Sequence, residues 1–235
     1  MSRAASLIAV GYGAYLLYAF WTGALYFYIH PIYIVPSIAT GLVLLALAGV
    51  AGRAAGAPSD HGASHGALSL LGIGILVLPL ALGFLLPPQP VSLLSAAQRG
   101  VELVSLSGVE GPPEFTLGAR PETYSIKDWV KALQADPEPG RHAGKPVRVV
   151  GFVYREDRLP RDWFLVARFV VKCCAVDAQP VGLPVRATGG NLPESGRWVS
   201  VEGVWEVAEV DGQRRAVVAA ASVAPTERPD QPYLY

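Results

Sequence analysis

Two adjacent cysteines, Cys173 and Cys174, are the residues of this chain best suited to chemistry, and Asp177 follows shortly after them. The chain of 235 residues contains no other cysteine. Neighbouring thiolates beside a carboxylate can hold a soft or borderline metal ion. The spacing therefore makes Cys173, Cys174 and Asp177 candidate metal ligands. His142 is a candidate fourth ligand, because structural zinc normally takes four protein ligands.

The same cysteine pair admits two other interpretations, a redox switch or two small buried side chains. Adjacent Cα atoms lie about 3.8 Å apart, which is less than the roughly 4.4–6.8 Å usual for a disulfide. A vicinal disulfide would therefore be strained and easily reduced. Strand alternation predicts that Cys173 faces the core. It places Cys174 beside Lys172 and Arg168, whose positive charges would favour a reactive thiolate.

The cysteines follow a stretch in which apolar residues alternate with a period of two, typical of β-strands. The predicted strands are Val147–Arg155, Trp163–Cys173, Gly182–Arg186, Trp198–Val207 and Arg214–Val223. Asp211-Gly212 predicts a hairpin turn between the last two strands. Gly151 and Gly203 occupy matching positions in two strands, and mid-strand glycine marks a bulge or a bend. Five strands with two such bends predict a small antiparallel barrel of the OB type, with an open sheet as the alternative.

A helix is predicted directly before the barrel. Ser125 can cap it, with Asp128 completing a capping box, and apolar residues recur at the helical period until Asp136-Pro137 ends it. Residues 125–235 thus form the predicted soluble domain. The segment 89–124, rich in Pro, Gly and Ser, is the predicted linker.

The N-terminal region, 1–88, reads as a transmembrane helical domain. Three apolar stretches are long enough to cross a bilayer core, which takes roughly 20 residues of helix; they are residues 4–29, 32–52 and 67–86. Between Met1 and Gln98 the only charged side chains are Arg3, Arg53 and Asp60. Placing both arginines in the cytoplasm obeys the positive-inside rule. We therefore expect a multi-pass protein of the cell membrane, in contact with lipid, whose C-terminal domain is extracytoplasmic.

Several classes of function are disfavoured. The formal net charge is zero and no basic patch with interleaved aromatics is present, so no nucleic-acid partner is expected. The spans carry no charge in their middle, whereas transporters that act alone normally carry ionisable residues there. The chain has no Cys-x-x-Cys pair and no phosphate loop, so it is not expected to be an enzyme.

The chain resembles an uncharacterised bacterial family of small membrane subunits encoded beside predicted permeases. That family's soluble domain, of unknown function, carries a Cys-Cys-x-x-Asp-Ala-x-Pro signature. The matching residues are Tyr28-Ile29-His30-Pro31, Gly151–Tyr154, Arg168-Phe169, Cys173-Cys174, Asp177-Ala178, Pro180 and Trp198–Gly203. Family members often have a histidine-rich loop between spans two and three; here that loop holds only His61 and His65 and is expected to be a solvated turn.

The resemblance implies an accessory subunit of a two-component permease, with a polytopic partner that supplies the pathway. The predicted permeases look similar to exporters of metalloid compounds, so metal or metalloid traffic is the implied cargo. The alternative is a membrane-anchored extracytoplasmic protein that uses Cys173 and Cys174 for thiol redox chemistry or senses a ligand.

Overall fold

The computed structural model describes residues 3–54, 70–91, 123–155, 159–187, 192–210 and 213–235. They divide into two compact units. The first is Met1–Pro90 together with Cys173–Ala175, and the second is Val91–Lys172 with Val176–Tyr235. Most of the predicted linker, the loop of His61 and His65, and the predicted turn at Asp211-Gly212 lie outside the described residues.

The described residues of the first unit form three apolar helices: α1 (Arg3–Trp21), α2 (Ile34–Ala54) and α3 (Leu70–Leu85). Helix α1 stops well before the predicted end of the first span at Ile29. Gly23 adopts a left-handed conformation (φ 73°), which favours glycine and ends a helix. A short 3-10 turn (Ala24–Phe27) follows. A second 3-10 turn, Pro31–Tyr33, then leads into α2; the His30 ring caps it by accepting a hydrogen bond from the Ile32 amide at 3.2 Å.

Two segments in the described part of the chain are long and apolar enough to cross a membrane, Ala4–Trp21 and Pro31–Arg53. Three such spans were predicted, so the described residues contain one fewer than expected. Helix α3 has 16 residues, and its continuous apolar part, Leu71–Leu85, falls short of the length required. The residues expected to begin the third span, 67–69, lie outside the described part.

Helix α1 packs against both other helices of its unit. A Cβ atom on Gly13 would lie 2.8 Å from the carbonyl oxygen of Gly41 in α2, so the backbones approach closely, as small residues permit. On its other side, the Tyr12 hydroxyl donates a hydrogen bond to the Leu76 carbonyl of α3 at 2.8 Å. Further along both helices, the rings of Tyr15 and Phe84 meet edge to face at 5.1 Å.

The second unit is a closed five-stranded barrel preceded by a helix, and this part of the α+β prediction is confirmed. The elements are α4 (Ile126–Ala135), β1 (Pro146–Tyr154), β2 (Trp163–Val170), β3 (Gln179–Ala187), β4 (Trp198–Val210) and β5 (Gln213–Pro225). Strand β1 pairs with both β4 and β2, β2 pairs with β3, β3 runs parallel to β5, and β5 pairs with β4. This circuit closes the barrel. A two-residue strand, β6 (Tyr233–Leu234), which the sequence pattern did not predict, adds to β2 in parallel.

Helix α4 begins as predicted, with a complete capping box between Ser125 and Asp128. Its apolar face is buried against the barrel interior. Trp129 stacks edge to face on Trp205 of β4, with ring centroids 5.4 Å apart. The helix thus covers apolar side chains contributed by all five strands of the barrel.

Strand β2 is buried on both faces. Phe164, Val166 and Val170 face the barrel interior. The opposite face, which includes Leu165 and Phe169, forms a second apolar cluster covered by Tyr233 and other residues. The predicted apolar face of this strand therefore exists, but it lies in this second cluster, and the strand ends at Val170, before the cysteines.

Candidate metal site in the turn after strand β2

The cysteines lie in a turn that follows β2. The Lys172 amide donates a hydrogen bond to Oδ1 of Asp177 at 3.0 Å, and a 3-10 turn (Ala175–Asp177) precedes β3. A side-chain carboxylate that accepts a nearby backbone amide closes a local turn of the chain. The aspartate of the sequence motif thus shapes the turn that carries the cysteines.

This turn brings Cys173, Cys174 and Asp177 together. One ligand atom from each of them lies within 4.8 Å of the other two. The two Sγ atoms are 3.6 Å apart, and neither cysteine is in a disulfide. Cys173 is exposed, whereas Cys174 and Asp177 are half-buried. The arrangement can offer two sulfur ligands and one oxygen ligand to a single ion.

One prediction about the individual cysteines is wrong. Cys173 was expected to face the core, but it is exposed, because the strand and its alternation have already ended at Val170. The position of Cys174 beside Lys172 and Arg168 stays a prediction, and the Arg168 guanidinium makes its hydrogen bonds to the C-terminal segment. Its Nε donates to the Pro232 carbonyl at 3.2 Å, and its Nη2 donates to the carbonyls of Gln231 and Tyr233.

Arg168 instead holds the C-terminal segment against the barrel. Besides those carbonyls, it lies over the ring of Trp198, with Cζ 5.8 Å from the ring centroid. Burial lowers the pKa of Arg168 from its usual value, and Tyr235 partly opposes this shift. Since the usual value for arginine is far above neutral, the side chain acts here as a cationic donor to backbone oxygens.

The backbone around the cysteines is held within the first unit. A β-bridge pairs Ile29 with Cys174. The His30 amide donates to the Cys173 carbonyl at 2.9 Å, and the Ala175 amide donates to the Tyr28 carbonyl at 2.8 Å. Sequence reasoning missed this pairing, since residues so far apart along the chain carry no periodic signal of it.

His142 is not part of the cysteine group. It is buried. Its Nε2 lies 2.9 Å from the carbonyl oxygen of Asp136, the residue that ends helix α4. Among the residues that the structure describes, the cluster of possible ligands comprises Cys173, Cys174 and Asp177. The His142 ring therefore contacts the C-terminal end of helix α4, and its use as a fourth ligand is not supported.

Gly151 and Gly203 lie where strands approach each other closely. A Cβ atom on Gly151 would lie 2.5 Å from the Ala167 carbonyl oxygen of β2 and 2.9 Å from Cδ1 of Ile126 in α4. A Cβ atom on Gly203 would collide with the backbone of Ala219 in β5. The register between β4 and β5 also shifts between Glu202 and Gly203. Both positions leave no room for a side chain.

Comparison with known protein families finds two adjoining matches that span most of the chain. Residues 5–102 match the DUF1980 N-terminal domain, and residues 122–235 match the DUF1980 C-terminal domain. No curated protein matches the chain. The chain therefore belongs to the DUF1980 family, an uncharacterised family whose two domains it carries in order.

Proposed function

We propose that this protein is an accessory membrane subunit of a two-component permease and that it binds a metal or metalloid cargo at Cys173, Cys174 and Asp177. The observation that carries the proposal is a pair of thiols, of which Cys173 is exposed, beside a carboxylate, in a chain that also contains two helices able to span a membrane. Soft sulfur ligands at an accessible position suit capture and release of an ion.

The helices favour a subunit over a transporter that acts alone. Helices α1, α2 and α3 contain no aspartate, glutamate, lysine or histidine, and the arginines Arg3 and Arg53 lie at helix ends. Pathways for ions and protons through a membrane normally use ionisable residues inside the spans. A polytopic partner would supply that pathway.

A three-crossing topology, with α3 as the third crossing, fits the contacts of the first unit. Tyr12 contacts Leu76, and Tyr15, further along α1, contacts Phe84, further along α3. The two helices therefore run in the same direction. Helix α3 would span about 24 Å at 1.5 Å per residue, less than the roughly 30 Å of an average bilayer core. A short span is accommodated by local thinning of the bilayer at modest cost.

The bridge between Ile29 and Cys174 also favours this topology. Ile29 lies in the connection between α1 and α2, so Cys174 belongs on the same side of the membrane as that connection. The chain must then cross the membrane an even number of times between them, which α2 and α3 together provide. With Arg3 and Arg53 inside by the positive-inside rule, this side is extracytoplasmic.

Reporter fusions after Tyr235 test the topology. An extracytoplasmic reporter such as a periplasmic-type phosphatase should be active at this position, and a cytosolic reporter should be silent. A matched fusion after Arg53, at the end of α2, should give the opposite pattern. Activity of the cytosolic reporter at the C-terminus would contradict the outward topology.

Purification of the tagged full chain from native membranes tests the function itself. A polytopic membrane protein should co-purify in a fixed ratio, and the complex should contain metal or metalloid. The Cys173→Ser, Cys174→Ser double variant should keep the partner and lose the bound element. If the chain purifies alone from gently solubilised membranes, the subunit proposal is wrong.

A thiol-redox role is the second candidate, because the two sulfurs are only 3.6 Å apart. Closing them to the roughly 2.05 Å of a disulfide would strain the turn and yield an easily reduced bond. In such a reaction a substrate disulfide would be reduced to two thiols while Cys173 and Cys174 are oxidised. Stoichiometric reduction of a small disulfide by the reduced full chain, one equivalent per chain and lost in either serine variant, would favour this role over cargo binding.

A further inference from the structure

We infer that Cys173, Cys174 and Asp177 form a three-ligand site for a divalent ion of tetrahedral preference, of the Zn²⁺ class, with a fourth position for an exchangeable ligand. This inference deepens the proposed function and rests on it only for the role of the ion as cargo. The site itself is argued from the geometry of the turn.

The separation of the sulfurs sets the bond angle at the metal. With zinc–sulfur bonds of about 2.3 Å, a tetrahedral angle places two sulfurs about 3.8 Å apart. The Sγ atoms of Cys173 and Cys174 are 3.6 Å apart, close to that value. Two sulfurs on opposite sides of an ion would lie about 4.6 Å apart at the same bond length. The pair therefore matches tetrahedral coordination and not the linear coordination of soft monovalent ions.

The carboxylate of Asp177 is close enough to complete a third bond. A tetrahedral ion with sulfur and oxygen ligands places them about 3.6 Å apart, and the three ligand atoms here lie within 4.8 Å of one another. Oδ1 accepts the Lys172 amide, and a carboxylate has a second oxygen with which to bind an ion.

The donor set selects the class of ion. Two thiolates exclude Mg²⁺ and Ca²⁺, which take oxygen ligands, whereas thiolates suit Zn²⁺. Two thiolates and one carboxylate carry three negative charges against the two positive charges of the ion. Binding of one divalent ion therefore leaves a single negative charge, and no further cation is needed.

The turn is organised before any ion arrives, yet it remains accessible. Hydrogen bonds hold the backbone at Cys173 and at Ala175, on both sides of Cys174. The turn therefore loses little conformational entropy when an ion binds. Cys173 is exposed. Closed zinc sites with four protein ligands are structural, while three protein ligands leave a position open to water or to an incoming group. Of the residues that the structure describes, three gather here, which suits transfer of the ion to another ligand.

Titration of the reduced, metal-free full chain in detergent with Co²⁺ tests the inference, because tetrahedral Co²⁺ with thiolate ligands has strong visible and near-ultraviolet absorption. One equivalent should bind with the tetrahedral spectrum and a charge-transfer intensity of two thiolates, and Zn²⁺ should displace it. Cys173→Ser and Cys174→Ser should each abolish this spectrum. Asp177→Asn should weaken binding by at least about tenfold, the lower end of what loss of even an outer-shell partner costs. Asp230→Asn, at an exposed aspartate elsewhere in the chain, is the control and should leave the titration unchanged.

The outcomes separate this inference from the proposed function. An octahedral Co²⁺ spectrum, or a titration unaffected by the serine variants, overturns the site. Binding of arsenite or Cu⁺ to the pair without any binding of Co²⁺ or Zn²⁺ overturns the divalent assignment, although the permease role could stand. Conversely, a tetrahedral site in a chain that purifies without a polytopic partner supports the site and refutes the subunit proposal. Loss of binding in Asp177→Asn must occur without loss of folding, which tryptophan fluorescence of the same sample checks.

Discussion

Gly151 lies where β1 and β2 close the barrel, next to the pairing of Phe152 with Ala167. In Gly151→Ala the new Cβ would lie 2.5 Å from the Ala167 carbonyl oxygen and 2.9 Å from Cδ1 of Ile126. The side chain of Ile126 can adjust, but the carbonyl belongs to a strand paired on both sides. Overpacking a well-packed site costs about 1–3 kcal/mol. Because the obstacle is backbone, we expect about 2–3 kcal/mol, the upper part of that range.

Urea unfolding of the full chain in detergent measures this effect. Four of the five tryptophans, Trp129, Trp163, Trp198 and Trp205, belong to the barrel unit, so their fluorescence follows its unfolding. With a slope of about 1–3 kcal/mol per molar urea, the midpoint of Gly151→Ala should fall by about 0.7–3 M. Gly140→Ala is the matched control, because its Cβ would meet only Glu138 Oε1 at an ordinary 3.6 Å. It should change the free energy of unfolding by no more than about 0.5 kcal/mol.

If Gly151→Ala unfolds at the same urea concentration as Gly140→Ala, then β1 and β2 do not approach each other at this point. The barrel would in that case be open along the β1–β2 edge. A change in slope without a change in midpoint would instead report a less compact native state, and it would contradict the local steric argument equally.

Three further predictions concern single side chains. Arg168→Met should destabilise the C-terminal segment by about 1 kcal/mol, because it leaves the part-buried carbonyls of Pro232 and Tyr233 without this donor. Limited proteolysis should then remove residues 231–235 faster. Arg148→Met, at an exposed ion pair, should have little effect. Ser125→Ala should lower the free energy of unfolding by about 1 kcal/mol through loss of the capping box, as measured by urea unfolding. An unchanged midpoint would show that helix α4 does not depend on its cap. In intact cells an impermeant maleimide should label Cys173, which is exposed, faster than Cys174, which is half-buried; equal rates in the single-cysteine variants would contradict the described turn.

Local patterns in the sequence predicted the elements whose cause is local. Ser125 and Asp128 form a capping box within one helical turn, so their spacing alone predicts the start of α4, and the structure contains both hydrogen bonds of the box. The alternating valines around Gly151 predict a strand, because the side chains of a strand point alternately to opposite faces. The two mid-strand glycines predicted a bulge or a bend. The register between β4 and β5 shifts between Glu202 and Gly203, and the close approach of Ala167 and Ala219 to the two glycines is what the structure adds.

Errors arose where an element ends or where distant segments meet. The alternating pattern predicted that β2 continues to Cys173. In the structure the Lys172 amide donates a hydrogen bond to the Asp177 carboxylate and the chain turns there. Nothing in the apolar pattern marks this point. The predicted first helix extends too far for a similar reason. Apolar residues continue past Gly23, and only the left-handed backbone conformation of Gly23 marks the end of the helix.

The sequence by itself determined that Cys173, Cys174 and Asp177 are neighbours, because three residues within five positions cannot lie far apart. Tertiary structure decided which of the thiols is exposed and how far apart the sulfurs lie. It also decided that Arg168 binds the backbone of the C-terminal segment and that His142 is buried at the end of a helix. These outcomes depend on contacts between residues far apart in the chain. Such contacts are stabilised only when the whole fold brings the segments together, so no short pattern encodes them.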